Sequence, residues 1–289
     1  MEVHVYTPKV VRSLLLPMEE VRVMPISDIQ FGEPGCDIDR LRRHIQWGVD
    51  NKCHFLGLGD YMDTASPSNR RILDMAKIDL YDSVRNMLDE AAAAKLRELQ
   101  EILAPSKGSW LGLVSGHHYY RFADGSTTDI RLAQFLGTAY MGDGAAMSIL
   151  HFKRNNYHGY ARIWFTHGQG GGGTPGGPLN RLLRIANVFP ADFYLMGHAH
   201  MKVVHEIPQI DIRVTSRDNI YWGQTRRIIA CTGGFLRGYQ LGRKNALAQP
   251  EASYVEKAML APTALGGLVL YIRPKMLRGR VVMDVGVST

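Results

Sequence analysis

Five short segments of this chain close an apolar, strand-like run with a side chain able to bind a metal. They are SDIQ (Asp28, Gln30), GDYMD (Asp60, Asp63), SGHHYY (His117, His118), FTHG (His167) and GHAH (His198, His200). Donors spread over so much chain can act together only if several strand ends meet. In open α/β sheets they meet in the crevice at the carboxyl ends of the strands. The segments supply carboxylates, an amide and five of the eleven histidines. Carboxylate oxygen with imidazole nitrogen suits Mn, Fe or Zn. Two such ions about 3.5 to 4 Å apart clamp a phosphoryl group and generate hydroxide near neutral pH. Such a pair needs a bridging carboxylate, and Asp60 is the natural candidate, with Gly59 allowing a sharp turn before it.

The order of elements agrees with this. VRVMPIS reads as a buried strand ending at Asp28. DIDRLRRHIQWGVDN has helical spacing (Ile38, Leu41, Ile45, Val49) and acidic residues near its start, where they complement the helix dipole. HFLGLG is the next strand, completing a βαβ unit with its right-handed crossover. From Asn69 to about Leu103 the apolar positions Ile72, Ala76, Leu80, Val84, Met87, Ala91 and Leu99 predict a helical insertion packed on the core or acting as a partial lid. WLGLVSG, SILHF, YARIWFT and DFYLMG read as strands, TTDIRLAQFLG and LNRLLRIANVF as helices. The last third is β-rich: KVVHEIPQIDIRVT, NIYWGQTRRIIACTGGF and GGLVLYIRP are strands of a mixed or antiparallel sheet. No repeat or linker divides the chain, so one domain over 1–289 is expected, its motif-bearing core about 21–235 and its insertion about 69–103.

Composition narrows the class. Apolar residues make up 45% and charged residues 21% of the 289, an ordinary globular composition that argues against disorder. No run approaches the roughly 18 to 20 apolar residues a membrane span needs. MEVHVYTPKVVRSLLLPMEE has no basic region leading into a sustained apolar stretch, so no signal peptide is read and a cytoplasmic protein is expected. The three cysteines contain no CxxC pair and read as reduced structural thiols. A net charge of +7 suits a phosphate-rich partner, although the basic residues are scattered, as at Arg42 and Arg43 or Arg226 and Arg227.

The ordered series DxQ, GDxxD, GHH, H and GHxH resembles the calcineurin-like metallophosphoesterases, a family of serine/threonine phosphatases, cyclic-nucleotide phosphodiesterases and break-repair exonucleases. Their usual motifs are DxH, GDxxD, GNH[DE], a lone H and GHxH, and the likeness runs from Asp28 to His200. It implies a four-layer α/β/β/α sandwich with two mixed sheets, of the metallo-dependent phosphatase type. It also implies two divalent metal ions, Mn2+ first, with Fe, Zn2+ or Mg2+ as alternatives. Asp28, Gln30, Asp60 and His200 would hold one ion; Asp60, His117, His167 and His198 would hold the other. His118 would stabilise the transition state and protonate the leaving oxygen, and Asp63 would orient ligands or the turn. The activity implied is hydrolysis of phosphate esters by a metal-bridging hydroxide, phosphodiesters first. The substrate would be a phosphate ester, with DNA or RNA as candidates and no membrane partner. A phosphomonoesterase with the same site and a catalytically retired binding scaffold are the alternatives.

Three positions depart from the family pattern. Gln30 stands for His, a harder and weaker oxygen ligand that favours Mn2+ or Mg2+ over Zn2+. His117 stands for Asn. Tyr119 stands for an acidic residue that helps position the catalytic histidine, leaving His118 less strictly oriented or held by another carboxylate. Each segment alone has a plainer reading: Asp28 as a helix cap, GDxxD as a turn, GHxH as surface histidines, His167 as a core residue. Joint placement at successive strand ends defeats those readings. GQGGGGTPGGP after His167 lacks the GxxxxGK[ST] of a nucleotide P-loop and reads as a rim loop. Tyr119, Tyr120 and Arg121 offer stacking and phosphate pairing to a nucleotide, or tyrosines packed beneath the site.

Overall fold

The structure is a computed structural model that describes residues 11–170, 173–216, 219–277 and 280–289. The opening residues of the N-terminal stretch, and Gly171 and Gly172 of the glycine-rich loop, lie outside the described residues.

Strand β1 (Val11–Leu16) precedes the βαβ unit of β2 (Val21–Ile26), α1 (Ile38–Asp50) and β3 (His54–Gly57). Asp37 starts α1 by accepting the Arg40 backbone N–H at 3.1 Å, and Leu41 and Ile45 are buried on its inner face. The insertion is two helices, α2 (Pro67–Asp79) and α3 (Asp82–Leu103), rather than one. Leu80 and Tyr81 take extended backbone between them, and Ser66 caps α2. The break redirects the apolar stripe. α3 buries Ala92, Leu96, Leu99, Ile102 and Leu103, whereas α2 buries nothing and leaves Ile72 66% exposed.

Then come β4 (Trp110–Leu113), α4 (Thr128–Leu136), β5 (Ala146–Arg154), β6 (Tyr157–Thr166), α5 (Gly176–Ala186) and β7 (Phe193–Met196). The β-rich end is the long hairpin β8 (Lys202–Ser216) and β9 (Asn219–Thr232), a short α6 (Tyr254–Lys257), and the hairpin β10 (Val269–Leu277) and β11 (Arg280–Ser288). The sequence reading does not include β1 or β11, both sheet-edge strands.

Two mixed sheets result, ordered β1-β5-β6-β7-β9-β8 and β11-β10-β2-β3-β4. β2, β3 and β4 run parallel, as do β6, β7 and β9. Side-chain alternation along each strand then sorts the core into layers. Val21, Val23, Leu56, Phe165, Phe193, Leu195 and Ile228 meet between the sheets. Their neighbours Met24, Ile26 and Phe55 face α1, α3 and α4. Tyr194, Met196 and Ile229 face α5. The fold is therefore an α/β/β/α sandwich. Because central strands are covered on both faces, they read as continuous apolar runs instead of alternating ones.

Cys36, Cys53 and Cys231 are free, and burial pushes their thiols up to about 12, 11 and 12. Among the described residues no helix is long and apolar enough to cross a membrane.

Candidate metal centre

The segments after β2, β3, β4, β6 and β7 meet at one end of the sandwich. Asp60, His117, His167 and His198 each bring one donor atom to within 4.8 Å of the others. The three imidazoles stand nearly perpendicular in pairs, His117 on His167 at 79° and His117 on His198 at 89°, with centroids 4.7 and 4.9 Å apart. His117 Nδ1 faces His198 Nδ1 at 3.3 Å. His167 Nδ1 lies 2.7 Å from the Leu58 carbonyl, which can only accept. Nδ1 therefore carries a proton, and Nε2 is turned inward, the second-sphere arrangement typical of metal-binding histidine.

Asp28, Gln30 and His200 flank this cluster. Gln30 donates to Asp60 Oδ2 at 3.1 Å, and His200 Nε2 lies 3.4 Å from Asp28 Oδ1. The second oxygen of Asp28 accepts from the Ser27 hydroxyl and, at 2.9 Å, from the His198 backbone N–H. Asp60 Oδ1 accepts from the backbone N–H groups of His117 and His118. Both carboxylates are thus held rigidly through one oxygen, with the other facing the cluster.

Whether the residues fit a metal is answered by three buried donor atoms. Asp28 Oδ1, Gln30 Oε1 and His167 Nε2 are buried with no hydrogen-bond partner among the described residues. Leaving such atoms unpaired costs free energy that a cation would recover. His167 Nε2 sits 3.2 Å from Asp60 Oδ2 as an ion pair without hydrogen-bond geometry. The donor set of carboxylate, amide oxygen and imidazole fits Mn, Fe or Zn.

Electrostatics follow from this packing. Burial alone would lower the His167 pKa, but Asp60 raises it to about 9. Burial also opposes the charge on Asp60, yet His167 and His118 hold its carboxyl below the usual range. Burial lowers His117, and lowers His198 to about 4, so both offer neutral nitrogens.

His118 stands outside the four-donor cluster. Its Nδ1 is 2.8 Å from Asp63 Oδ1 and its Nε2 is 4.0 Å from Asp60 Oδ2. Burial lowers its pKa, but Asp63 and Asp60 together bring it above the ordinary value. Its carbonyl accepts from the Thr64 backbone N–H at 3.1 Å and the Thr64 hydroxyl at 2.9 Å, fastening the two loops together.

Backbone strain concentrates here. Of the nine non-glycine residues with positive φ among the described residues, five are Asp28, Gln30, Asp60, His198 and His200. Each such residue costs on the order of 1 to 3 kcal/mol and persists only where the surroundings enforce it. Gly59 has φ +92°, and a Cβ there would lie 2.6 Å from Gly116 Cα. A Cβ on Gly116 would lie 2.1 Å from the Asp60 nitrogen. The two turns touch backbone to backbone.

Several supporting residues are absent from the sequence reading. Asp129, fully interior, accepts the Gly116 N–H at 3.2 Å, and burial raises its pKa to about 6. Arg70 donates to the carbonyls of His117 at 2.6 Å and Tyr119 at 3.4 Å while its guanidinium covers the Tyr119 ring at 3.9 Å. No motif marks Asp129 or Arg70, because each acts through backbone that only the folded chain brings near, whereas Ser27, inside SDIQ, gives its hydroxyl to the Asp28 carboxylate.

The Tyr119-Tyr120-Arg121 run is divided. Tyr120 is corrected from a stacking surface to a packing residue: it is 5% exposed, clusters with Phe122 and Ala92, and donates to Asp89 at 2.8 Å. Lys77 covers its ring at 3.8 Å. Tyr119 is half-buried under Arg70, and Arg121 is exposed and paired with Asp74 at 3.3 Å.

The structure thus combines an α/β/β/α sandwich with an Asp/His cluster at its strand ends, and that cluster could hold a metal. No protein-family model matches the chain. No curated protein matches it. Among solved structures it is similar to Vps29 of Chaetomium thermophilum, at 13% identity over 94% of this chain and 96% of that one, with a TM-score of 0.35. It is also similar to GAP50, the anchor in the inner membrane complex of Plasmodium, at 10% identity over 92% and 84%, with a TM-score of 0.42. Vps29 from Cryptosporidium parvum gives 11% identity over 94% and 99%, with a TM-score of 0.33.

Proposed function

We propose that the protein is a metal-dependent hydrolase of phosphate esters, phosphodiesters first. The observation that carries this reading is the pair of buried oxygens without a hydrogen-bond partner, Asp28 Oδ1 and Gln30 Oε1, beside the four-donor cluster. Asp28, Gln30, Asp60, His117, His167, His198 and His200 would hold two divalent cations, Mn2+ first. Bound cations supply Lewis acidity towards phosphoryl oxygens and lower the pKa of water towards neutrality.

The chain's own residues account for the rest. Asp63 at Nδ1 raises the His118 pKa and so favours the protonated ring, leaving Nε2 to give its proton to the departing oxygen. Asp63 also fixes the ring plane, replacing the acidic neighbour that Tyr119 displaces. Asp129 and the Gly59–Gly116 contact set the height of the His117–His118 turn relative to Asp60.

Hydrolysis of bis-p-nitrophenyl phosphate with added Mn2+, against the same protein with chelator, tests the reading. Metal-dependent turnover is expected. Equal and negligible rates, with no bound metal by elemental analysis, would instead assign the fold to a binding scaffold.

A further inference from the structure

The outer face of α2 and the chain after Tyr119 border an open groove of about 370 Å3, lined chiefly by Arg70, Arg71, Asp74, Met75, Ile78 and Arg121. Its inner end is Arg70, bonded to the carbonyls on either side of His118. The groove therefore starts at the loop that carries the proton donor.

Its charge is unbalanced. Three guanidinium groups face one carboxylate, and Asp74 is already engaged by Arg121 at 3.3 Å. Arg70 is held by carbonyls, which orient its charge without neutralising it. Arg71 is exposed and has no ion-pair or hydrogen-bond partner among the described residues. Between these cations, Met75 is 63% and Ile78 is 76% exposed, and α2 buries no residue of its own. An anion with an apolar body satisfies both features. Guanidinium pairs with phosphate oxygens, and apolar side chains cover the face of a base.

We infer that this groove holds the nucleotide next to the scissile phosphodiester, with its phosphate on Arg71 and Arg121 and its base against Met75 and Ile78. Single-stranded nucleic acid is then the substrate class. The inference rests on the phosphoesterase reading and adds to it a site distinct from the metal cluster. The two sets of groups differ in kind: inward lone pairs for cations, outward guanidiniums for a flanking phosphate.

The test compares the parent with Arg71→Glu, a change at an exposed, unpartnered position. Affinity for a fluorescent single-stranded oligothymidylate is measured by anisotropy in chelator at several salt concentrations, beside Mn2+-dependent hydrolysis of bis-p-nitrophenyl phosphate, which has no flanking phosphate. The expected result is a loss of about tenfold in oligonucleotide affinity, with the log–log salt slope shallower by about one contact. The ratio of oligonucleotide to dye-ester efficiency falls in parallel. Unchanged affinity and slope, with dye-ester hydrolysis intact, overturn the groove and leave the phosphoesterase standing. No dye-ester hydrolysis in the parent overturns the phosphoesterase and the flanking-phosphate assignment with it. Tighter binding of the parent to phosphatidylglycerol vesicles than to the oligonucleotide, lost in Arg71→Glu, assigns the groove to a membrane surface and also overturns it.

Discussion

The carboxylate that orients His118 belongs to Asp63, 2.8 Å away through Nδ1 and three residues beyond Asp60 in the neighbouring loop. Removing it while keeping its shape, as Asp63→Asn, takes away the charge that raises the His118 pKa. A proton donor loses activity as pH rises through its own pKa. The alkaline limb of kcat against pH is therefore expected to move to lower pH in Asp63→Asn, with kcat reduced and metal content unchanged. An alkaline limb identical to the parent's would remove Asp63 from this role.

Asp60 and His118 are expected to separate metal binding from turnover. Asp60→Ala removes a shared donor and strands the His117 and His118 amides that it accepts, so bound metal should fall to background by elemental analysis. His118→Ala removes a side chain outside the four-donor cluster and should keep its metal while losing about 10²- to 10⁴-fold in kcat, the usual contribution of a positioned acid. A His118→Ala protein as active as the parent would show the role to be misassigned.

Metal loading should release a proton. His167 titrates at about 9 beside Asp60 in the metal-free protein, so at pH 7.5 it carries a proton that a cation must displace. Calorimetry of Mn2+ binding in buffers of different ionisation enthalpy should report about one proton released, with affinity rising towards pH 9. The sign for stability is the reverse. A histidine pKa raised on folding stabilises the metal-free protein below about 6.5, and that contribution fades as pH climbs through about 9. No proton release at pH 7.5 would contradict the ion pair.

Gly116→Ala places a methyl group 2.1 Å from the Asp60 nitrogen, backbone that cannot rotate aside. Overpacking of this kind costs about 1 to 3 kcal/mol. The displaced turn carries both His117 and His118, so loss of metal and of turnover should exceed what the change in melting temperature suggests. Normal metal content in Gly116→Ala would show that the two turns are less tightly coupled.

Asp129→Ala leaves the buried Gly116 N–H without its acceptor and should cost about 1 to 3 kcal/mol. Asp129→Asn keeps an acceptor without the charge. Because burial raises this carboxyl from its ordinary value near 4 to about 6, the parent loses stability as pH rises from about 4 to about 6 and carries the full penalty above that. Asn is then expected to close part of the stability gap at pH 8 and little of it at pH 4, read from urea unfolding at both.

The parts of the protein legible in the sequence are those whose signal is local. β2, α1 and β3 announce themselves through apolar runs and helical spacing, and the donors at their ends are visible because strand ends are where an α/β sheet gathers ligands. Ile72 and Met87 mislead, since a periodic stripe reads the same whether the helix is continuous or broken at Leu80. Nothing in the residues around Tyr120 shows that its ring turns inward to Asp89, because that contact joins segments 31 positions apart. Donor types and their order were thus set by the chain itself. Which oxygen of Asp60 faces the cluster, that Asp63 rather than a neighbour steadies His118, and that Arg71 lines an open groove were decided by tertiary packing. Spacing along a chain carries period and chemistry, whereas the approach of two turns depends on backbone contacts such as Gly59 against Gly116, which exist only once the sheets have closed.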